Sequence, residues 1–269
     1  MMESARPLTF SAVDGLAFAA AGGLLDITQA PRCPYVPTRL GPLLEFLHFT
    51  SCGRLPSPSG GSWLASNGAT PMVTALQEDR ERWVSSDERR MGFIRAVRRG
   101  PDGDNWLIAF LMDAQRAARD VASLPGGTPG QLAGAMEELE NNIHEHSDAA
   151  NTGLLAFRAT PGAFEFVVAD RGVGILASLR RCSTYTAAVN DHGKALESAL
   201  TDGISRFGSE SGRGHGFRPI FIGLANLHGS LRFRSGDHAL LIDGTSPNLT
   251  TAQLAQKPPL DGFFASISC

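Results

Sequence analysis

The sequence predicts an α+β fold in which helices lie on one face of a mixed sheet, preceded by a smaller N-terminal α/β domain. Three observations carry that expectation. Two long segments in the middle of the chain repeat apolar residues at helical spacing, a pair of alternating segments follows across a short Pro-Gly connection, and strand-like segments close the sequence. At 269 residues, 42% hydrophobic and 19% charged, the chain can build a sizeable core without staples.

Residues 1–103 carry few sharp signals. An apolar start runs from Leu8 to Leu25, prolines bend the chain at Pro31, Pro34 and Pro37, and Leu43, Leu44, Phe46 and Leu47 fit a short helix. Gly53 to Gly61 reads as a loop. Met72 to Val97 reads as helical, with Arg89, Arg90, Arg95, Arg98 and Arg99 as a basic cluster whose ordinary meaning is a solvated helix face. Gly100-Pro101-Asp102-Gly103 supplies a junction, dividing the chain into 1–103, a sensing or docking domain, and 104–269.

Beyond the junction the periodicity sharpens. Leu107, Phe110, Leu111, Ala114, Ala117, Ala118 and Val121 give one buried helical face between Trp106 and Ala122. Pro125-Gly126-Gly127 breaks it. Thr128-Pro129-Gly130-Gln131 then offers a cap, a proline at the first helical position and a glutamine three residues after the cap, so a second helix is expected to follow Thr128. Strands are expected at Gly153–Arg158 and Ala163–Ala169, joined at Thr160-Pro161-Gly162. Phe217 to Leu227 reads as a helix, Leu231–Arg234 and Ala239–Ile242 as a hairpin about Ser235-Gly236-Asp237, and Phe263–Ser268 as a last strand.

Charge narrows the function classes. With 24 basic and 27 acidic residues and a net charge of −3, the surface is not built to hold nucleic acid or anionic lipid. Only Lys194 and Lys257 are lysines, and neither follows a glycine-rich turn as the lysine of a P-loop must. The four cysteines, Cys33, Cys52, Cys182 and Cys269, show no Cys-x-x-Cys spacing, which fits reduced thiols in a cytoplasm rather than zinc or a disulfide framework. Gly15 to Leu25 is far shorter than the roughly 20 apolar residues that span a bilayer, and Glu3 and Asp14 disagree with a signal peptide. A cytoplasmic protein without a membrane segment is the expectation.

Three constellations carry chemistry. On the second helix, Glu138, Asn142 and His146 fall one turn apart on one face: the amide oxygen can ligand magnesium and the carboxylate can activate a hydroxyl, although taken alone the pattern is more ordinarily the polar face of an amphipathic helix. At the end of a strand, Asp170-Arg171-Gly172-Val173-Gly174 offers a carboxylate that accepts from an exocyclic amine and glycines that let backbone approach a ring, or else an ordinary turn. Ahead of a helix, Gly212-Arg213-Gly214-His215-Gly216 presents backbone N–H groups to phosphates, or else forms a surface loop. A Rossmann site is excluded by order, because no strand precedes Gly212.

In this order the three motifs resemble the GHKL superfamily of ATPases, which includes gyrase B, sensor histidine kinases and anti-sigma-factor serine kinases. The resemblance spans roughly Asn105 to Cys269. It implies a Bergerat-type α/β sandwich binding ATP and Mg2+. Glu138, Asn142 and His146 match the N box, Asp170, Gly172 and Gly174 the G1 box, and Gly212, Gly214 and Gly216 the G2 box. By the same resemblance Glu138 is the catalytic base, Asn142 the magnesium ligand and Asp170 the reader of the adenine amine. Gly212, Arg213, Gly214, His215 and Gly216 close on the phosphates, and the segment between Gly174 and Gly212 is a lid carrying Lys194 and Arg206 as phosphate contacts.

Departures from the family pattern are informative. The threonine that often follows a glycine ahead of the last strand is missing from Gly262-Phe263-Phe264. Glu138 and Glu145 stand where sensor histidine kinases usually carry an asparagine and a basic residue, and no phosphoacceptor-helix motif precedes the domain. A neutral imidazole is already nucleophilic, whereas serine, threonine or water needs a base, so Glu138 fits a hydrolase or serine/threonine kinase. The leading expectation is an ATP-binding signalling protein that hydrolyses ATP or phosphorylates a protein partner. The alternative is a nucleotide-gated interaction module with little or no turnover. A homodimer is compatible with both.

Overall fold

The computed structural model describes residues 5–26, 34–57, 63–96, 100–181, 189–199, 229–242 and 252–269. The chain divides into two compact units, Met1–Trp83 and Val84–Cys269. The division lies ahead of the Gly100–Gly103 segment, where Pro101 instead begins a long helix.

In the first unit, β1 (Arg6–Pro7) runs parallel to β2 (Tyr35–Val36), and α1 (Phe10–Ala21) packs on α2 (Leu40–Ser51). The Thr9 hydroxyl caps α1 by accepting from the Ala12 N–H at 3.1 Å, satisfying one of the donors that a helix start leaves open. Leu8, Val13, Leu43, Phe46 and Phe49 are buried, and the Phe46 ring lies 6.5 Å from that of Trp63.

The helical reading of Met72–Val97 is corrected. Helix α3 covers only Thr70–Gln77, and β3 (Arg82–Val84) and β4 (Met91–Arg95) follow. Left-handed backbone at Asp79, Glu88 and Arg89 turns the chain where a helix would have continued. Met91, Phe93 and Ile94 are all buried, and a short unbroken apolar run has no period to separate strand from helix. The expected basic helix face is likewise absent: Arg90 meets Asp87 and Glu88 at 3.0 and 3.1 Å, and Arg89 meets Asp113 at 2.7 Å. Arg98 and Arg99 lie outside the described residues.

The second unit is built on a sheet with helices packed on it. Helix α4 (Pro101–Asp120) is followed by α5 (Thr128–His146), then β5 (Leu154–Thr160), β6 (Ala163–Asp170), α6 (Gly174–Arg180), α7 (His192–Ala199), β7 (Ser230–Ile242) and β8 (Gln253–Ser268). The strand order is β3-β4-β5-β6-β8-β7. Every described pairing from β4 to β7 is antiparallel, so the expected mixed sheet is an antiparallel one. Helix α5 begins one residue sooner than its sequence suggests, with Gly127 rather than Thr128 at the cap position.

Register explains the core. Across the sheet Ile94, Leu155, Val168, Ala265 and Phe233 form one row, and Phe157, Phe166, Ile267 and Leu231 another on the same face. Against this face pack Leu107, Phe110 and Ala114 of α4, Met136, Leu139 and Ile143 of α5, and Leu196 of α7. The Phe157 ring stands 5.3 Å from Phe110 and 6.1 Å from Phe164. Each such side chain contributes about 1.5–3 kcal/mol by leaving water.

The hairpin expected within residues 231–242 does not form. Strand β7 runs on through Ser235-Gly236-Asp237 and pairs along its length with β8. Ser235 pairs with Phe263 while Gly236 pairs with Leu260, so β8 spends Asp261 and Gly262 where β7 spends nothing. A second shift follows opposite Pro258 and Pro259, which have no N–H to give a ladder. The helix expected at Phe217–Leu227 lies outside the described residues. Among the described residues no helix is long and apolar enough to cross a membrane.

Candidate functional site

The second sequence motif sits where the sheet ends. Asp170 is the last residue of β6 and shares a cross-strand row with Phe263 and Ser235, on the helix-covered side. The residue is 4% exposed, and its carboxylate accepts from the Gly172 N–H at 2.8 Å. Burial pushes the acid up to about 6, and the Gly172 hydrogen bond offsets only part of that.

Glycines surround it because there is room for nothing else. A Cβ on Gly172 would lie 2.1 Å from the Ser147 carbonyl oxygen, and one on Gly262 would lie 2.1 Å from the Asp170 carbonyl oxygen and 2.7 Å from the Gly172 nitrogen. Gly174 and Gly262 both hold φ of 74°, a left-handed conformation that favours glycine. A Cβ on Gly174 would stand 2.7 Å from the Ser235 hydroxyl.

Hydrogen bonds fasten this loop on three sides. The Val173 N–H donates to the Ser147 carbonyl at the end of α5 (2.9 Å), and the Arg171 N–H donates to the Thr152 hydroxyl (2.9 Å). From β7, the Ser235 hydroxyl accepts from the Ile175 N–H at 3.0 Å and donates to the Gly262 carbonyl at 2.9 Å. The last turn of α5 therefore abuts the Asp170 loop. That turn carries His146, half-buried; Asn142, one turn earlier, is half-buried and Glu138 is exposed.

The same helix holds a pair the motif reading did not single out. Glu140 is 2% exposed and lies 2.7 Å from His144, one turn on. Lys194 is an exposed residue of α7, whose first turn is capped by Asp191 accepting from the Lys194 N–H at 2.8 Å. That helix packs on β7, its His192 ring so close to Gly236 that a Cβ there would come within 2.1 Å. Gly212, Arg213, Gly214, His215 and Gly216, and Arg206 with them, lie outside the described residues.

Two contributors escaped the motif reading. Gly262 was legible only as the glycine before a missing threonine. The local sequence marks Ser235 as a turn residue, and its position opposite Phe263 follows from a register that no local pattern encodes.

The buried carboxylate, with a close-packed glycine backbone around it, can accept a hydrogen bond from a planar amine. Among the described residues no group of three or more His, Cys, Asp or Glu side chains could hold a metal ion. Magnesium held by one amide oxygen, phosphates and waters requires no such group. Comparison with protein-family models, curated proteins and solved structures finds no match to this chain.

Proposed function

We propose that the second unit binds ATP with Mg2+ in the manner of a GHKL ATPase, within a cytoplasmic signalling protein. It hydrolyses the nucleotide or passes the γ-phosphoryl group to a serine or threonine of a protein partner. One observation carries the reading: a carboxylate buried at a strand end and lifted to about 6, held among glycines whose close approach to backbone leaves no room for a Cβ. A buried acid perturbed by desolvation marks a functional-site candidate, and its ionised form accepts a hydrogen bond from an amine.

Asp170 accepts from the adenine amine and must be ionised to do so fully. Asn142 offers its amide oxygen to magnesium, which would neutralise charge on the phosphates. Glu138 is the base for the accepting hydroxyl, Lys194 a phosphate contact, and Met1–Trp83 the docking or sensing part. Isothermal calorimetry tests the site. Asp170→Asn should weaken ATP about 10–100-fold, the worth of one hydrogen bond to a charged group; equal affinity in wild type and variant overturns the assignment.

The exposure of Glu138 favours a second reading, a nucleotide-gated module with little or no turnover, since a general base works best partly desolvated. Phosphate release separates the two. An enzyme releases phosphate above the Glu138→Ala background, whereas a gate binds ATP without doing so.

A further inference from the structure

We propose that Ser235 is a positioning residue for the adenine-reading loop, its hydroxyl tying the start of α6 to the bulge of β8 from the neighbouring strand. The inference rests on the ATP-binding reading of Asp170 and deepens it. Ser235 is 1% exposed and lies directly across the β7–β8 ladder from Phe263. Phe263 is committed to the core, its ring 4.8 Å from that of Phe233, and has no polar atom to offer the loop.

The hydroxyl of Ser235 uses both of its capacities. It accepts from the first N–H beyond Gly174 and donates to the Gly262 carbonyl, joining the start of α6 to the bulge of β8. Gly262 in turn lies against the Asp170 carbonyl and the Gly172 nitrogen. The Gly172 N–H is the donor that holds the Asp170 carboxylate. One side chain thus fixes the Ile175 end of the path directly and bears on the Asp170 end through Gly262. Its removal leaves a buried N–H and a buried carbonyl with one partner fewer and lets the carboxylate drift from the geometry that an amine donor requires.

The test compares Ser235→Ala, Ser235→Cys and Ser235→Thr in the full chain, titrating ATP and GTP separately. Cysteine keeps a small polarisable side chain but is a weak donor and acceptor, and it serves if the alanine variant does not fold. In alanine and cysteine variants ATP affinity should fall about tenfold while GTP affinity, which has no adenine amine to lose, changes less. Threonine should restore the ATP preference. A variant that is merely less folded weakens both nucleotides equally, and that outcome overturns the proposal. Hydrogen exchange without nucleotide gives a second readout: the Ile175 and Gly172 amides should lose protection in the alanine and cysteine variants. Lost protection with unchanged ATP preference overturns the positioning role and leaves the Asp170 reading intact. Absence of ATP binding in the wild type overturns both.

Discussion

The two ends of β6 both turn on glycine, for opposite reasons. At the start of the strand, Pro161-Gly162 closes the hairpin with Gly162 at φ 76°, and a Cβ there would meet nothing within 4 Å. At the other end, Gly172, Gly174 and Gly262 face backbone or hydroxyl atoms at 2.1–2.7 Å. One glycine supplies a dihedral angle and three supply space. A turn that needs only an angle is replaceable at small cost, whereas a turn packed against backbone on every side holds something in place, here a buried carboxylate.

Substitution should separate the two ends. Gly262→Ala combines a left-handed φ with a backbone clash, and we expect a loss above about 3 kcal/mol in urea denaturation together with loss of nucleotide binding. A loss below 1 kcal/mol would show that the crowding relaxes easily. Asp170→Asn should act in the opposite sense on stability. The folded acid lies near 6, above the 3.8 of an ordinary aspartate, so its contribution is fully present below pH 3.8 and is lost as pH rises through about 6. The variant should therefore gain on wild type across that window, by up to ~3 kcal/mol at pH 7.5, while binding ATP more weakly. A difference that does not change with pH would remove burial as the cause. In the wild type, ATP affinity should decline as pH falls through about 6, because a protonated Asp170 accepts less well; calorimetry at pH 5.5 and 7.5 measures it. The smallest effect belongs to Gly162→Ala, about 1 kcal/mol from φ alone with ATP affinity unchanged.

The same contrast explains what could be read from the sequence. The helical stripes of α4 and α5 and the alternation in β6 are local patterns, and they locate the elements to within a few residues. So is Pro161-Gly162, which names its own turn. Asp170 and its glycines were legible as a motif but not as a knot, since the atoms crowding them come from Ser147, Ser235 and Gly262, far away in sequence. The continuity of β7 is hidden because Ser235-Gly236-Asp237 has the composition of a reversal, yet one left-handed glycine in a strand also makes an irregular ladder. Within residues 72–97 the strand β4 is buried on both sides, so its sequence carries no period to separate it from a helix.

The strand order carries a consequence for how the protein is made. Strand β8 lies between β6 and β7, so an interior position of the sheet is filled by a strand that follows both of its neighbours in sequence. At ribosomal rates of about 5–20 residues per second, Gly262 emerges on the order of ten seconds after Asp170. Throughout that interval the carboxylate has no β8 to cover it and the edge of β6 has no partner. A nascent chain stalled before β8 would leave the β6 edge and β7 unpaired, and the arrival of Gly262 joins the strands and covers the Asp170 carboxylate in one event.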